Sequence, residues 1–246
     1  MQAIILAAGR GKRLCPWTES RPKCLIDFGD KTLLEHNISI LSKYGIKRIL
    51  LVIGYLGEMI REKIGSAFTN VRIEYISNSV YKEGGSGHSL WLARGMVEDE
   101  NIIMDSDILF DGRILEKLLN SDYKNCMVVD EELVDTGEEV KVLAESGFIK
   151  DLGKEIRNYS NCIGEMIGIT RLSKKGWEFL VEELERFSHR GIIMAEYENA
   201  IGNMVKRCPM HYIYTDGLPW IEIDFPEDLD KARNQVYPKI SRRGKA

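Results

Sequence analysis

Histidine is scarce in this chain: four in 246 residues, His36, His88, His189 and His211, none in a zinc or nucleophile motif. No G-x-S-x-G occurs either, which removes the serine elbow of many hydrolases. The five cysteines (Cys15, Cys24, Cys126, Cys162 and Cys208) are odd in number, widely spaced and without a C-x-x-C pair. That argues against a disulfide framework or zinc site and for a reducing compartment. No segment approaches the roughly 20 apolar residues of a membrane span. Residues 1–8 are apolar but too short for a signal peptide, with no charged leader or following cleavage site. Positive charge is not in excess: 34 Lys+Arg against 38 Asp+Glu give a net charge of −4. A general affinity for nucleic acid or an anionic membrane is therefore not expected. A cytoplasmic protein is the expectation. Internal repeats, hexapeptide repeats included, are also missing.

What is present is an alternation. Residues 3–6 and 49–53 are short unbroken apolar runs, suited to strands buried on both faces. Thr32 and Glu35 have the spacing of a capping box, and Leu34, Ile38 and Leu41 then line one helical face before Gly45. A helix over 58–64, a strand over 71–76, a helix over 89–97 and a strand over 102–104 continue the pattern. This spacing predicts an α/β fold with a mixed, mainly parallel sheet and helices on both faces. After about residue 120, strands at 127–129, 140–144 and 163–169 follow without helices between them, which predicts a small antiparallel insert. Helices over 174–187 and 194–205, strands over 211–214 and 220–223, and a helix over 226–234 come next. Pro226, Glu227 and Asp228 favour that last helix start through φ and dipole. A single domain over 1–236 is expected, with 237–246 a frayed basic tail.

The stretch IILAAGRGKRLCPWTESRPKCL, residues 4–25, gathers Arg10, Lys12, Arg13, Arg21 and Lys23 directly after the first strand. A strand followed by a glycine-rich turn is where open α/β sheets bind phosphates through backbone N–H groups. A dinucleotide fingerprint would want a third glycine at position 14, which is Leu14, and a Walker A loop is not supplied either. A triphosphate carries about four negative charges, which several Arg and Lys donors can neutralise. Pro16 and Pro22 stiffen the loop.

This stretch resembles the signature L-A-A-G-x-G-x-R-L-x-P-x-T-x-x-x-P-K of the nucleoside-triphosphate nucleotidyltransferases. Each fixed element is present: Leu6, Ala7, Ala8, Gly9, Gly11, Arg13, Leu14, Pro16, Thr18, Pro22 and Lys23. The resemblance implies a Rossmann-like nucleotidyltransferase sheet. It implies that Leu6, Ala7, Ala8, Gly9 and Gly11 approach the nucleotide, that Arg13 grips the β/γ-phosphates, and that Lys23 faces the α-phosphate. Residues 1–120 would be the nucleotide-binding half and 121–225 the acceptor-binding half.

Two acidic segments fit the same chemistry. MDSDILF carries Asp105 and Asp107 at a strand's C-terminal end, the edge where α/β sheets place their chemistry. The family usually has a glycine before the second aspartate, and Ser106 stands there. WIEIDFPEDL supplies Asp224, similar to the family's late I-x-V-D-x-x-E-D-L segment. Asp107 with Asp224 matches the one or two carboxylates that Mg²⁺ commonly takes, and Asp105 is expected beside the nucleotide. If the acceptor oxygen belongs to a phosphate or phosphonate it is already ionised near pH 7. The scarcity of histidine then follows, because catalysis reduces to positioning and charge neutralisation.

KEGGSGHSL is the second glycine-rich loop, opening a helix with N–H donors to offer. By the resemblance, Gly85, Ser86, Gly87 and Ser89 contact the nucleobase, while His88 packs. IGEMIGITRLSKKG, residues 163–176, is similar to segments of small cytidylyltransferases acting on phosphocholine or aminoethylphosphonate, and also of inositol-1-phosphate cytidylyltransferases. Glu165, Tyr197, Glu198 and Trp220 are the acceptor candidates, through carboxylate and cation–π contacts. The expected reaction is CTP-dependent cytidylyl transfer to a small phosphorylated or phosphonate acceptor, with Mg²⁺, by a chain that could form a homodimer. The alternatives are a sugar-1-phosphate uridylyl- or thymidylyltransferase and a catalytically inactive nucleotide-binding regulator.

Overall fold

The computed structural model describes residues 1–65 and 67–243. In chain order its strands begin with β1 (Gln2–Ala7), β2 (Asp27–Phe28), β3 (Lys31–Thr32), β4 (Arg48–Ile53) and β5 (Arg72–Ser77). There follow β6 (Asn101–Asp105), β7 (Ile108–Phe110), β8 (Cys126–Asp130), β9 (Lys141–Glu145) and β10 (Phe148–Gly153). The last three are β11 (Cys162–Leu172), β12 (His211–Tyr214) and β13 (Trp220–Glu222). Between them lie α1 (Leu33–Lys43), α2 (Gly57–Gly65), α3 (Ser86–Leu92), α4 (Gly112–Asn120), α5 (Lys174–His189) and α6 (Tyr197–Met204), with α7 (Pro226–Lys231) and α8 (Tyr237–Arg243) at the end.

One nine-stranded sheet runs β10-β9-β11-β6-β1-β4-β5, with β8 paired to β11 and β12. Strands β6, β1, β4 and β5 are parallel, while β8, β9 and β6 all meet β11 antiparallel. The mixed, mainly parallel architecture is the expected one. β1 is buried along its whole length because it feeds both layers. Ala3, Ile5 and Ala7 face a core closed by α1, α2 and α4, while Ile4, Leu6 and Ala8 face one closed by α3, α5 and α6. That is the two-residue strand period at work. Each fully buried Ile or Leu contributes roughly 1.5–3 kcal/mol. The Thr32–Glu35 capping box forms as read, each residue bonding the other's backbone N–H.

Several expectations need correction. The helix predicted over 194–205 starts only at Tyr197, because Glu196 takes the capping role in front of it. The helix predicted over 89–97 lies over Ser86–Leu92. Strand β12 pairs parallel to β8, outside the insert of β8, β9 and β11, which is antiparallel as expected. α4, β7 and β10 went unread, although Asp111 caps α4 by accepting from the Arg113 N–H.

The basic tail is also different. Residues 237–243 form α8, and Tyr237 packs on Phe28 with ring centroids 6.0 Å apart. Residues 244–246 lie outside the described residues. This end belongs to a third core that joins Leu14, Ile26 and Phe28 to Leu229, Ala232 and Tyr237. The loop after β1 is therefore rooted in the C-terminal helices.

Candidate active site

The cleft opens at the C-terminal edges of β1 and β6, the usual ligand edge of such sheets. The basic loop is held there by three local devices. Gly11 takes a left-handed conformation (φ 64°, ψ 45°) and its carbonyl accepts from Thr18 Oγ1 at 2.7 Å. Tyr55 Oη donates to the carbonyls of Thr18 and Glu19 at 3.0 and 2.8 Å. Leu14 is wholly buried beneath the loop. A Cβ built on Gly9 would meet no atom within 4 Å, so this turn leaves open space towards the cleft.

Lys23 sits in a 3₁₀ turn (Lys23–Leu25), and its Nζ lies 2.7 Å from Asp107 Oδ2 and 2.7 Å from Asp224 Oδ1. Burial alone would lower the ammonium's pKa, but the two carboxylates outweigh it and hold the group protonated. Burial would likewise raise Asp224, and Lys23 and Arg13 hold it below the usual range instead. Arg13 pairs with Asp224, reaches Glu138 Oε2 at 2.7 Å, and stacks over the Phe225 ring at 4.9 Å. Arg10 and Lys12 line the same space.

Carboxylate oxygens of Asp107, Glu222 and Asp224 lie within 4.8 Å of one another. Asp107 Oδ1 is buried and has no hydrogen-bond partner among the described residues. Although solvent reaches Glu222 along the cleft, its carboxyl is pushed up to about 8 by enclosure and by the charges of Asp107 and Asp224. Three crowded hard oxygens, one of them orphaned, fit a small divalent cation such as Mg²⁺. Glu222 was missed in the sequence. Its signal was the strand period in WIEID, which turns residues 222 and 224 to one face.

The cleft has two adjoining lobes of about 660 and 640 Å³ that share Asp105, Lys154, Glu198, Glu222 and Asp224. The first is lined by Leu6, Ala7, Ala8, Gly9, Gly11, Gly85, Ser86 and Ser89, as well as Arg13 and Lys23. Gly87 does not line it. The second glycine loop also owes its composition to a different cause than expected. A Cβ on Gly85 would fall 2.5 Å from the Ala195 carbonyl oxygen, and one on Gly87 2.7 Å from the same atom. Both glycines let residues 193–195 cross close by, sealed by Gly85 N–H to Ile193 O (2.8 Å) and Gly87 N–H to Ala195 O (3.1 Å). The Ser86 N–H is taken by Glu196 Oε2 at 2.8 Å, so the helix start does not offer the free donors assumed for it. Ser89 Oγ accepts from Asn78 Nδ2 at 2.9 Å, and His88 stacks on Trp91.

Asp105 closes β6. Burial, with Asp107 and Glu198 nearby, drives its carboxyl well above the usual range, and Tyr197 Oη donates to it at 2.8 Å. Tyr197 is 1% exposed, so it supports Asp105 from the core and presents no aromatic face to the second lobe. Its assignment as an acceptor contact is corrected on that ground. Gly168 (φ 79°) is needed here, because a Cβ would fall 2.5 Å from Asp105 Oδ2. Glu165, Glu198 and Trp220 do line the second lobe. The indole N–H of Trp220 is tied to Asp130. Lys154, at the end of β10 and on both lobes, was not read from the sequence because β10 itself was not.

Known proteins share this frame. A solved inositol-1-phosphate CTP transferase from T. maritima superposes with a TM-score of 0.78 at 26% identity, over 98% of this chain and 95% of that one. The CTP:phosphoglutamine cytidylyltransferase of Campylobacter jejuni is 26% identical, over 94% of this chain and 98% of its own. The bifunctional protein GlmU of Methanococcus maripaludis is 32% identical over 98% of this chain but 55% of its own. The chain thus spans about half the length of such bifunctional relatives. The family model Nucleotidyl transferase matches residues 2–131, the stretch that holds the basic glycine turn after β1 and the acids at the end of β6: the chain belongs to the nucleotidyl transferase family.

Proposed function

We propose that this chain transfers a cytidylyl group from CTP to a small phosphate or phosphonate and releases pyrophosphate. The observation that carries the reading is the Lys23 ammonium, fixed between Asp107 and Asp224 where the two lobes meet. The preference for CTP rests on the two relatives named for it that match over nearly their full length.

In this reading an acceptor oxygen attacks the α-phosphorus, and the bond to the bridging oxygen of the β-phosphate breaks. Lys23 offsets charge growing at the α-phosphate, where a fixed cation in an enclosed site counts most. Arg13 exchanges Glu138 and Asp224 for the β/γ-phosphates, and Lys154 exchanges Glu138, 3.3 Å away, for the acceptor phosphate. Asp107, Glu222 and Asp224 would hold Mg²⁺, whose chemistry is to offset the negative charge that the two reactants bring together. No histidine lines either lobe among the described residues. None is required, since the attacking oxygen is already ionised near pH 7. The alternative expected from the sequence, a sugar-1-phosphate acceptor, is the second reading. Pyrophosphate release, measured with four NTPs against a panel of small phosphates, phosphonates and sugar phosphates, decides between them. Turnover confined to UTP or dTTP with sugar phosphates would overturn the cytidylyl reading.

A further inference from the structure

The second lobe is lopsided in charge. Asp130, Glu132, Glu139 and Glu165 line it and not the first lobe, and Lys154 and Lys231 are its only cations among the described residues. Glu165 on β11 stands directly opposite Asp130 on β8 in antiparallel register. Like charges placed so repel and weaken a sheet. Glu139 adds to the repulsion, and burial with these two neighbours pushes the Glu165 carboxyl up to about 7.

Among the described residues no ion pair relieves this. Lys141, opposite Glu165 on β9, spends its ammonium on Asp135 and on the Lys154 carbonyl, both at 3.0 Å. Among the described residues the Asp130 carboxylate accepts from neutral donors: Thr215 Oγ1, the Glu132 N–H and the Trp220 indole. No described side chain donates to Glu165. Between the lobes, Glu198 Oε2 is buried without a hydrogen-bond partner among the described residues.

Two kinds of cation could meet such a surface. A quaternary ammonium has no N–H and is held by several aromatic faces. A primary ammonium has three donors and is held by carboxylate oxygens. Here Tyr197 is 1% exposed and lines the first lobe but not the second, the Phe225 face carries Arg13, and Trp220 is the one remaining aromatic on the second lobe among the described residues. Carboxylates are plentiful. Resting on the transfer reading above, we infer that the acceptor is a zwitterion: a small phosphate or phosphonate whose far end bears a primary ammonium group, received by Glu165 together with Asp130 and Glu139. The short apolar wall of Val140, Met166 and Ile221 suits an alkyl linker between the two charges.

The test measures binding apart from turnover. The protein, saturated with the α,β-methylene analogue of CTP and Mg²⁺, is titrated calorimetrically with 2-aminoethyl phosphate, choline phosphate and 2-hydroxyethyl phosphate. The primary amine should bind at least tenfold more tightly than its hydroxyl isostere, and more tightly than choline phosphate. Glu165→Gln should remove most of that preference while leaving affinity for the analogue unchanged. Glu139→Gln should reduce it too, with an unchanged Tm showing that the hydrogen bonds its carboxylate accepts from Thr136 and the Gly137 N–H are not what was lost. A preference below tenfold, tighter binding of choline phosphate, or a preference that survives both substitutions would overturn the inference. Pyrophosphate release from true CTP with the same acceptors is read in parallel. Its absence with every NTP would sink the transfer reading alone, while the binding preference is judged on its own numbers.

Discussion

The two lobes of the cleft are built by opposite rules. The first is a stiff loop of small residues and fixed cations, pinned by Thr18, Tyr55 and Leu14. The second is a patch of carboxylates, Asp130 on β8 and Glu165 on β11 among them, that are in no ion pair among the described residues. A basic loop prepares for phosphate anions, and an unanswered acidic patch prepares for a cation. One cleft with both suits a pair of reactants whose phosphates must approach each other, because the acidic lobe draws in an acceptor that the phosphates alone would repel.

The strongest way to break this contrast is at the junction. Removing divalent cations with EDTA should abolish transfer. Asp107→Asn and Asp224→Asn should each do nearly the same, with the double variant scarcely worse than either single one. Steady-state assays with metal add-back check it, and undiminished activity in EDTA would end the metal assignment. Next in size, Lys23→Ala should lower kcat by roughly 10²–10³-fold, in line with losing one preorganised charge partner. KM for CTP should move much less, and a kcat within a few-fold of wild type would refute the role given to Lys23.

The two glycine loops offer a smaller, structural test. Gly85→Ala drives a methyl into the Ala195 carbonyl and should cost roughly 1–3 kcal/mol, read as a lowered Tm. Gly9→Ala meets open space in the free protein, so Tm should hold while KM for CTP rises. Equal Tm losses would erase the distinction between a glycine kept for packing and one kept for ligand room.

The smallest effect sharpens the acidic side. The Glu165 carboxyl, raised from 4.5 to about 7, holds its proton more firmly in the folded than in the unfolded chain. Between those values the native state binds more protons, so stability contributed by this site falls as pH rises. Glu165→Gln should therefore match the wild type near pH 4.5 and melt about 2–4 °C higher at pH 8, the size of a 1 kcal/mol change in a chain this long. Parallel melts across that window check it, and a variant less stable at pH 8 contradicts it.

The first lobe was the legible one. Its motif is contiguous, so Arg13, Lys23 and the glycines could be read along one stretch, and β1, β4 and β6 were plain from their apolar runs. The second lobe was legible only in part. Glu165 and Trp220 were found through resemblance, but the Glu165–Asp130 pairing depends on register, which one strand's sequence does not state. Lys154 directly follows β10, whose pattern in FIKDLG mixes charge into a short strand and hid the element that places it. Tyr197 misled because an aromatic ring near acids reads the same whether it faces a ligand or, as here, a buried aspartate. Gly85 and Gly87 misled because the segment that crosses them, 193–195, is more than a hundred residues away.

The Lys23–Asp224 bond joins positions 201 residues apart, and the core beneath it joins Leu14 and Phe28 to Ala232 and Tyr237. During synthesis the basic loop therefore emerges 201 residues before its counter-carboxylate. Until then Lys23 can have Asp107 as a neighbour but not Asp224, and the loop has no floor of C-terminal helices. A nascent or truncated chain holding every residue of the opening motif is, by this topology, still without a working centre. A premature stop before residue 224 would leave Lys23 and Arg13 without the carboxylate they share.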